Sequence, residues 1–165
     1  VWSPNSEVMV VKRSRDGNGQ EAIFINLIGY EIASMKFDYP ILFIYWSPDG
    51  KKVAFHTQEI PEDKSLGASL KAKEILEVVS LEFEEYPFSY SIVEKKSFIL
   101  HGVDPKDVFW SPSGRYITFV SSEVLKILDD GAYLTTPDEI WFIDLETCKQ
   151  FSLVDKTNIR FKRRW

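Results

Sequence analysis

At 165 residues the chain is long enough for an ordinary core. Its 44% apolar, 15% aromatic and 27% charged residues describe a folded polymer, not a disordered one. A net charge of −5 argues against the basic stripe that nucleic-acid binding needs, and the one basic cluster, Arg160-Phe161-Lys162-Arg163-Arg164, falls where a strand is predicted. Cys148 is the single cysteine, which excludes an internal disulfide and a multi-cysteine zinc site. It reads as a small, partly buried hydrophobe near a strand end. No apolar run reaches the length that spans a bilayer.

In chain order, the first signal is Trp2-Ser3-Pro4-Asn5, followed by Val8-Met9-Val10-Val11, a continuous apolar run that predicts a strand covered on both faces. A compact connection over Ser14 to Gln20 leads to the apolar run Ala22 to Leu27, which closes on Ile25-Asn26-Leu27. A weaker run at Ile32 to Phe37, the loop Asp38-Tyr39-Pro40 and the run Ile41 to Tyr45 follow. The tetrapeptide then returns as Trp46-Ser47-Pro48-Asp49, here before Gly50. Pro48 sets the dihedral of the first central turn position, Asp49 suits the second, and Gly50 accepts positive φ. In the first copy Asn5-Ser6 replaces Asp-Gly, which predicts a looser turn.

Val53 and Phe55 alternate with their neighbours at strand period. Leu70, Ala72, Leu76 and Val79 stand at helical spacing within Leu66 to Leu81. Even so, Val79-Ser80-Leu81 matches Ile25-Asn26-Leu27, so a strand is predicted from about Ile75. Runs at Ser97 to Leu100 and Val108-Phe109 flank the loop His101 to Pro105. Trp110-Ser111-Pro112-Ser113 opens the third copy. Ile117 and Phe119 repeat the alternation, and Ile143-Asp144-Leu145 closes the run from Ile140. Phe151 to Val154, Asp155-Lys156-Thr157, Ile159-Arg160-Phe161 and a final Trp165 complete the chain.

From each opening Trp to the closing Leu the separations are 25, 35 and 35 residues, and from that Leu to the next Trp they are 19, 29 and 20. A constant framework therefore carries an insertion of about ten residues at the same place in the second and third units. The second unit has another insertion after its closing Leu. Four short strands per unit, repeated, is the signature of an all-β fold of β-propeller blades. The predicted organisation is one propeller segment over 1–165, in units 2–45, 46–109 and 110–165.

Trp46-Ser47-Pro48-Asp49-Gly50-Lys51-Lys52-Val53-Ala54-Phe55 resembles the repeat of TolB-type six-bladed propellers. The same repeat occurs in tricorn-type propellers and in those of dipeptidyl- and prolyl-oligopeptidase-type serine peptidases. Ser14-Arg15-Asp16-Gly17-Asn18-Gly19 before Glu21-Ala22-Ile23-Phe24 is similar to that family's usual link between second and third strands. The resemblance spans the chain and implies three four-stranded antiparallel blades of a six- to eight-bladed ring. Rings close with about four to eight blades. Three readings follow: a piece of a longer propeller, a homodimer completing a six-bladed ring, or a compact three-unit fold. The opening in mid-motif at Val1-Trp2 and a predicted last strand over Asn158 to Trp165, which could complete the first unit in the same chain or from a partner copy, fit the first and the second reading alike.

In such a ring the second-to-third and fourth-to-first connections emerge on one face. The insertions at about Gln58 to Lys73 and Ser121 to Asp138 both belong to second-to-third connections, giving one loop-rich face on a rigid scaffold. Candidate partner-binding residues there are Arg15, Asp16, His56, Glu59, His101, Asp104, Asp129, Asp130 and Tyr133. The face leans acidic, but no stretch has the regular ligand alternation of a cation loop, and the two histidines lack a carboxylate at ligand spacing, so no metal and no cofactor is predicted. Gly-x-Ser-x-Gly, phosphate-loop and His-Glu-x-x-His motifs are all absent from the sequence. The expected function is a non-catalytic scaffold that binds a protein or peptide. The alternative, implied by the resemblance, is the substrate-gating propeller of a serine peptidase whose catalytic domain lies elsewhere. No residue specifies a compartment.

Overall fold

The computed structural model of the chain describes residues 1–14, 19–59, 72–84, 89–122, 124–127, 133–135 and 138–153. The predicted terminal strand over 158–165 lies outside them. Every regular element among the described residues is a strand. The first sheet has three strands, β1 (Val8–Ser14), β2 (Gln20–Asn26) and β3 (Glu31–Phe37), in spatial order β1-β2-β3. The second has four, β4 (Ile41–Trp46), β5 (Lys52–Gln58), β6 (Glu74–Glu84) and β7 (Ser89–Ile99), also in sequence order. The third comprises β8 (Val103–Trp110), β9 (Tyr116–Ser122), β12 (Glu139–Asp144) and β13 (Lys149–Leu153). Between β9 and β12, β10 (Val124–Ile127) and β11 (Tyr133–Thr135) form a separate two-stranded sheet. All pairings are antiparallel.

The strand before each Trp pairs with the strand after it, as in Trp46↔Val53 and Trp110↔Ile117. The sheets are therefore offset by one strand from the units 2–45, 46–109 and 110–165. In the first sheet the place of that strand is marked by a bridge, Trp2↔Met9. The three sheets stack face to face around two cores. Between the first and second lie Val8, Val10, Ala22, Phe24, Val53 and Phe55 with their neighbours; between the second and third lie Ala54, Leu76, Val78, Phe98, Ile117 and Phe119 with theirs. Alternate residues of β5 enter opposite cores, as the strand period requires. β1 differs from its prediction: Val8 and Val10 are buried, while Met9 and Val11 are half-exposed, because no described sheet covers their face.

Trp46 and Trp110 pack against the two cores, and the Trp110 indole N–H donates to the Tyr45 carbonyl across the seam at 3.2 Å. The turns that follow them are closed by one pattern. Gly50, Gly114 and Ser6 each donate a backbone N–H to the carbonyl of the turn serine, Ser47, Ser111 and Ser3, at 2.9 Å. The serine hydroxyl oxygen in turn accepts the N–H of Lys52, Tyr116 or Val8. The first turn is thus as closed as the others, and Ser6 reaches it by adopting φ 60°. Cys148 lies near a strand end as predicted, in the turn just before β13 at φ 56°, but it is exposed there and not partly buried.

Candidate binding face

The three serine–proline turns share one end of the stack. A Cβ on Gly50 would meet Asn5 at 3.6 Å, and one on Gly114 would meet Asp49 at 3.8 Å, so each turn abuts the next. Strands β5 and β9 start at that end and run away from it. Hence both inserted connections, Glu59 to Lys73 and Ser122 to Asp138, leave from the opposite end. So does the short loop between β7 and β8 that holds His101.

On the second sheet this end begins with a tied neck. Glu59 N–H donates to the Lys73 carbonyl at 2.9 Å, and the Lys73 ammonium pairs with the Glu59 carboxylate at 3.3 Å. Beneath the neck, His56 Nε2 lies 2.8 Å from Glu74 Oε2, and the Gln58 amide donates to Glu74 Oε1 at 2.5 Å. His56 points into the seam toward the third sheet and is 2% exposed, so the His56–Glu74 pair is sealed from any substrate. His56 Nδ1 has no hydrogen-bond partner among the described residues.

On the third sheet the end is organised around a tight approach. Gly102 adopts φ 80° and lies where a Cβ would come within 2.5 Å of Ser121 Oγ and 2.7 Å of the Ser122 carbonyl, so only glycine fits. The Ser121 hydroxyl donates to the His101 carbonyl at 2.7 Å. The exposed His101 ring stacks on Trp141 with centroids 4.4 Å apart at 12°. Trp141 itself lies near-parallel to the core residue Phe119. The stack is therefore a rigid aromatic surface anchored in the second core.

Of the predicted binding residues, His101 and Glu59 stand at this end with described side chains, and His56 lies buried beneath it. Asp104 falls within β8 and Tyr133 within β11, for which only the backbone is described. Arg15, Asp16, Asp129 and Asp130 lie outside the described residues. Sequence reasoning missed Gln58, Glu74, Ser121 and Gly102. The second insertion, expected as a loop, contains the paired strands β10 and β11. Its signal was the apolar stretch Val124 to Ile127, then a turn sequence, then Tyr133-Leu134. Among the described residues no group of three or more His, Cys, Asp or Glu is gathered as a metal site requires. Among the described residues no helix is long and apolar enough to cross a membrane.

No protein-family model matches the chain, and no curated protein matches it by sequence. Solved structures do match its fold. A chain of Kuenenia stuttgartiensis hydrazine synthase superposes with a TM-score of 0.55 at 17% identity, covering 92% of this chain and 40% of that one. The tricorn protease gives 0.48 at 9% identity, over 87% of this chain and 13% of that one. A putative 6-phosphogluconolactonase from Bacteroides uniformis gives 0.43 at 16% identity, over 84% and 38%. The chain spans less than half the length of each of these structures. Its fold is all-β and propeller-like, with antiparallel sheets of three and four strands.

Proposed function

We propose that the chain is a segment of a TolB-like propeller of six to eight blades. Its role is non-catalytic: it binds a protein or peptide on the face that carries the inserted connections. The observation that carries this reading is the β10–β11 strand pair, a separate two-stranded sheet at the end where the 59–73 connection also leaves and where His101 stacks, exposed, on Trp141. Strand pairing beside an aromatic surface supplies area and backbone groups for a peptide to meet. An acidic, loop-built face of this kind suits a polar peptide surface better than a small apolar ligand.

Selection of a random peptide library on the immobilised 165-residue chain tests the reading. Enriched peptides are expected to lose binding when His101→Ala and Glu59→Ala are combined, to keep it when Lys51→Ala alters the opposite end, and to be recovered uncleaved. Failure to enrich, or enrichment indifferent to the His101 and Glu59 changes, overturns it.

A further inference from the structure

A groove lies at the other end, in the seam between the first and second sheets, and two local departures from the repeat build it. In the second and third sheets the closing leucine stays in the ladder. Leu81 N–H donates to the Lys51 carbonyl at 2.8 Å and Leu145 N–H to the Arg115 carbonyl at 3.1 Å, and both side chains are buried. In the first sheet the ladder stops one residue earlier. Asn26 Oδ1 accepts the N–H groups of Ile28 and Tyr30 at 3.2 and 2.9 Å, and Gly29 N–H donates to the Asn26 carbonyl at 3.0 Å. Past this turn Leu27 and Ile28 are 67% and 76% exposed. Leu27 belongs to the face of the first sheet that no described sheet covers, whereas Leu81 and Leu145 are packed against a preceding sheet.

The second departure is the β6–β7 hairpin. Past a bulge at Ser80/Leu81 it continues through Leu81↔Ile92, Glu82↔Ser91, Phe83↔Tyr90 and Glu84↔Ser89. It thereby brings Phe83, half exposed and 5.1 Å from the Tyr90 ring, to face Leu27 and Ile28 across the seam. The groove between them has a volume of about 360 Å³ and is lined by Glu7, Asn26, Leu27, Ile28, Phe83 and Tyr90.

Its polar group is held in place. Glu7 Oε2 accepts the Tyr90 hydroxyl at 2.7 Å and the Asn5 amide at 2.8 Å. Burial, then the Glu7 carboxylate, push the Tyr90 phenol up to about 12, so it remains a neutral donor. No lining residue is cationic, and Glu82 and Glu84, both exposed, flank Phe83. Three apolar side chains around an oriented carboxylate with no cation of its own complement an apolar group attached next to a positive charge.

We propose that this groove docks a peptide segment carrying a bulky aliphatic or aromatic side chain beside a lysine or arginine, the apolar group against Leu27, Ile28 and Phe83 and the cation at Glu7. The site is at the end remote from the loop-bearing face and does not depend on the function proposed for that face. The test titrates the ¹⁵N-labelled 165-residue chain with an end-capped hexapeptide of alternating leucine and lysine, and with the same peptide carrying glutamate for lysine. Amide shifts are expected for Glu7, Asn26 to Tyr30 and the Phe83–Tyr90 pair, with the basic peptide only. Binding is expected to weaken by at least about tenfold in Glu7→Gln and again in Phe83→Ser. Ile28→Ser, at a fully presented turn position, gives a third variant whose remaining spectrum reports an intact fold. Shifts centred elsewhere, equal response to the acidic peptide, or unchanged affinity in the folded variants would each overturn the proposal.

Discussion

The second and third sheets are built on one register, yet their corresponding faces meet different fates. On the face of the second sheet that looks toward the third, Leu76 and Phe98 pair across β6 and β7 and are 0% and 6% exposed. At the same places in the third sheet Ile140 and Leu153 pair across β12 and β13 and are 39% and 62% exposed. Val78 and Tyr45 in the second correspond to Phe142 and Phe109 in the third, and the half-buried Phe142 stacks on the exposed Phe151 at 5.3 Å. The alternation is identical and the chemistry equally apolar. Strand period therefore determines which face is a packing face, while burial is conferred by whatever sheet lies on it. The third sheet presents a face of the kind that its neighbour uses to hold a blade.

The largest expected effect separates these two situations directly. Phe55, 0% exposed in the doubly covered sheet, contacts Phe24 and Phe37. Phe55→Ala should destabilise by about 3–5 kcal/mol. Phe151→Ala, at 44% exposure, should change stability by less than about 1 kcal/mol. Urea denaturation followed by tryptophan fluorescence reads both. Comparable losses would mean that in solution the third sheet's outer face is covered, by a second copy or by residues beyond those described, and solution mass would then distinguish the two.

Much of this architecture was legible because it rests on period and spacing. The returning Trp-Ser-Pro turns and the alternation of Val53-Phe55 and Ile117-Phe119 mark the strands. The match of Val79-Ser80-Leu81 to its counterparts correctly preferred β6 to a helix. Local departures were not legible in the same way. Leu27 carries the same letter as Leu81 and Leu145, but those two are packed against a preceding sheet, and no described sheet covers the face that Leu27 occupies. The extra residues of the second unit lengthen the β6–β7 hairpin instead of forming a loop; Leu81, Phe83, Tyr90 and Ile92 show the period that would have revealed this. At the candidate face, His101 and Glu59 were found by position in the repeat. The pairing of His56 with Glu74 was not, because it joins residues 18 apart across an insertion of unstated shape.

A smaller effect tests the outer faces through their charges. The Arg115 guanidinium, bonded to both oxygens of Asp144, holds that carboxyl well below its ordinary 3.8; burial opposes this, and the Glu146 and Thr147 N–H groups assist. Arg13 does the same for Glu21, whose ordinary value is 4.5. Both groups bind protons less tightly in the folded chain than in the unfolded one. Their contribution is therefore complete above the ordinary carboxylate range and is lost as pH falls below it. Denaturation midpoints should drop on acidification from about pH 5 to about pH 3, and Asp144→Asn or Glu21→Gln should each flatten that dependence. An undiminished slope in both variants would show that these two ion pairs do not set the acid sensitivity.

The smallest expected effect compares the turns at the stack's end. Gly50 at φ 69° and Ser6 at φ 60° close turns with the same 2.9 Å hydrogen bond, but only glycine enters that region without steric cost. A Cβ at Gly50 would meet Asn5 at 3.6 Å, an ordinary contact, so Gly50→Ser should cost about 1 kcal/mol through the backbone alone. Ser6→Gly relieves the same strain while adding freedom to the unfolded chain, so its net gain should be only a few tenths of a kcal/mol. If Ser6→Gly instead lowers stability, the first turn draws on its serine for more than its dihedral. If Gly50→Ser is neutral, the second turn relaxes in solution, and the close abutment of the three turns does not constrain the stack.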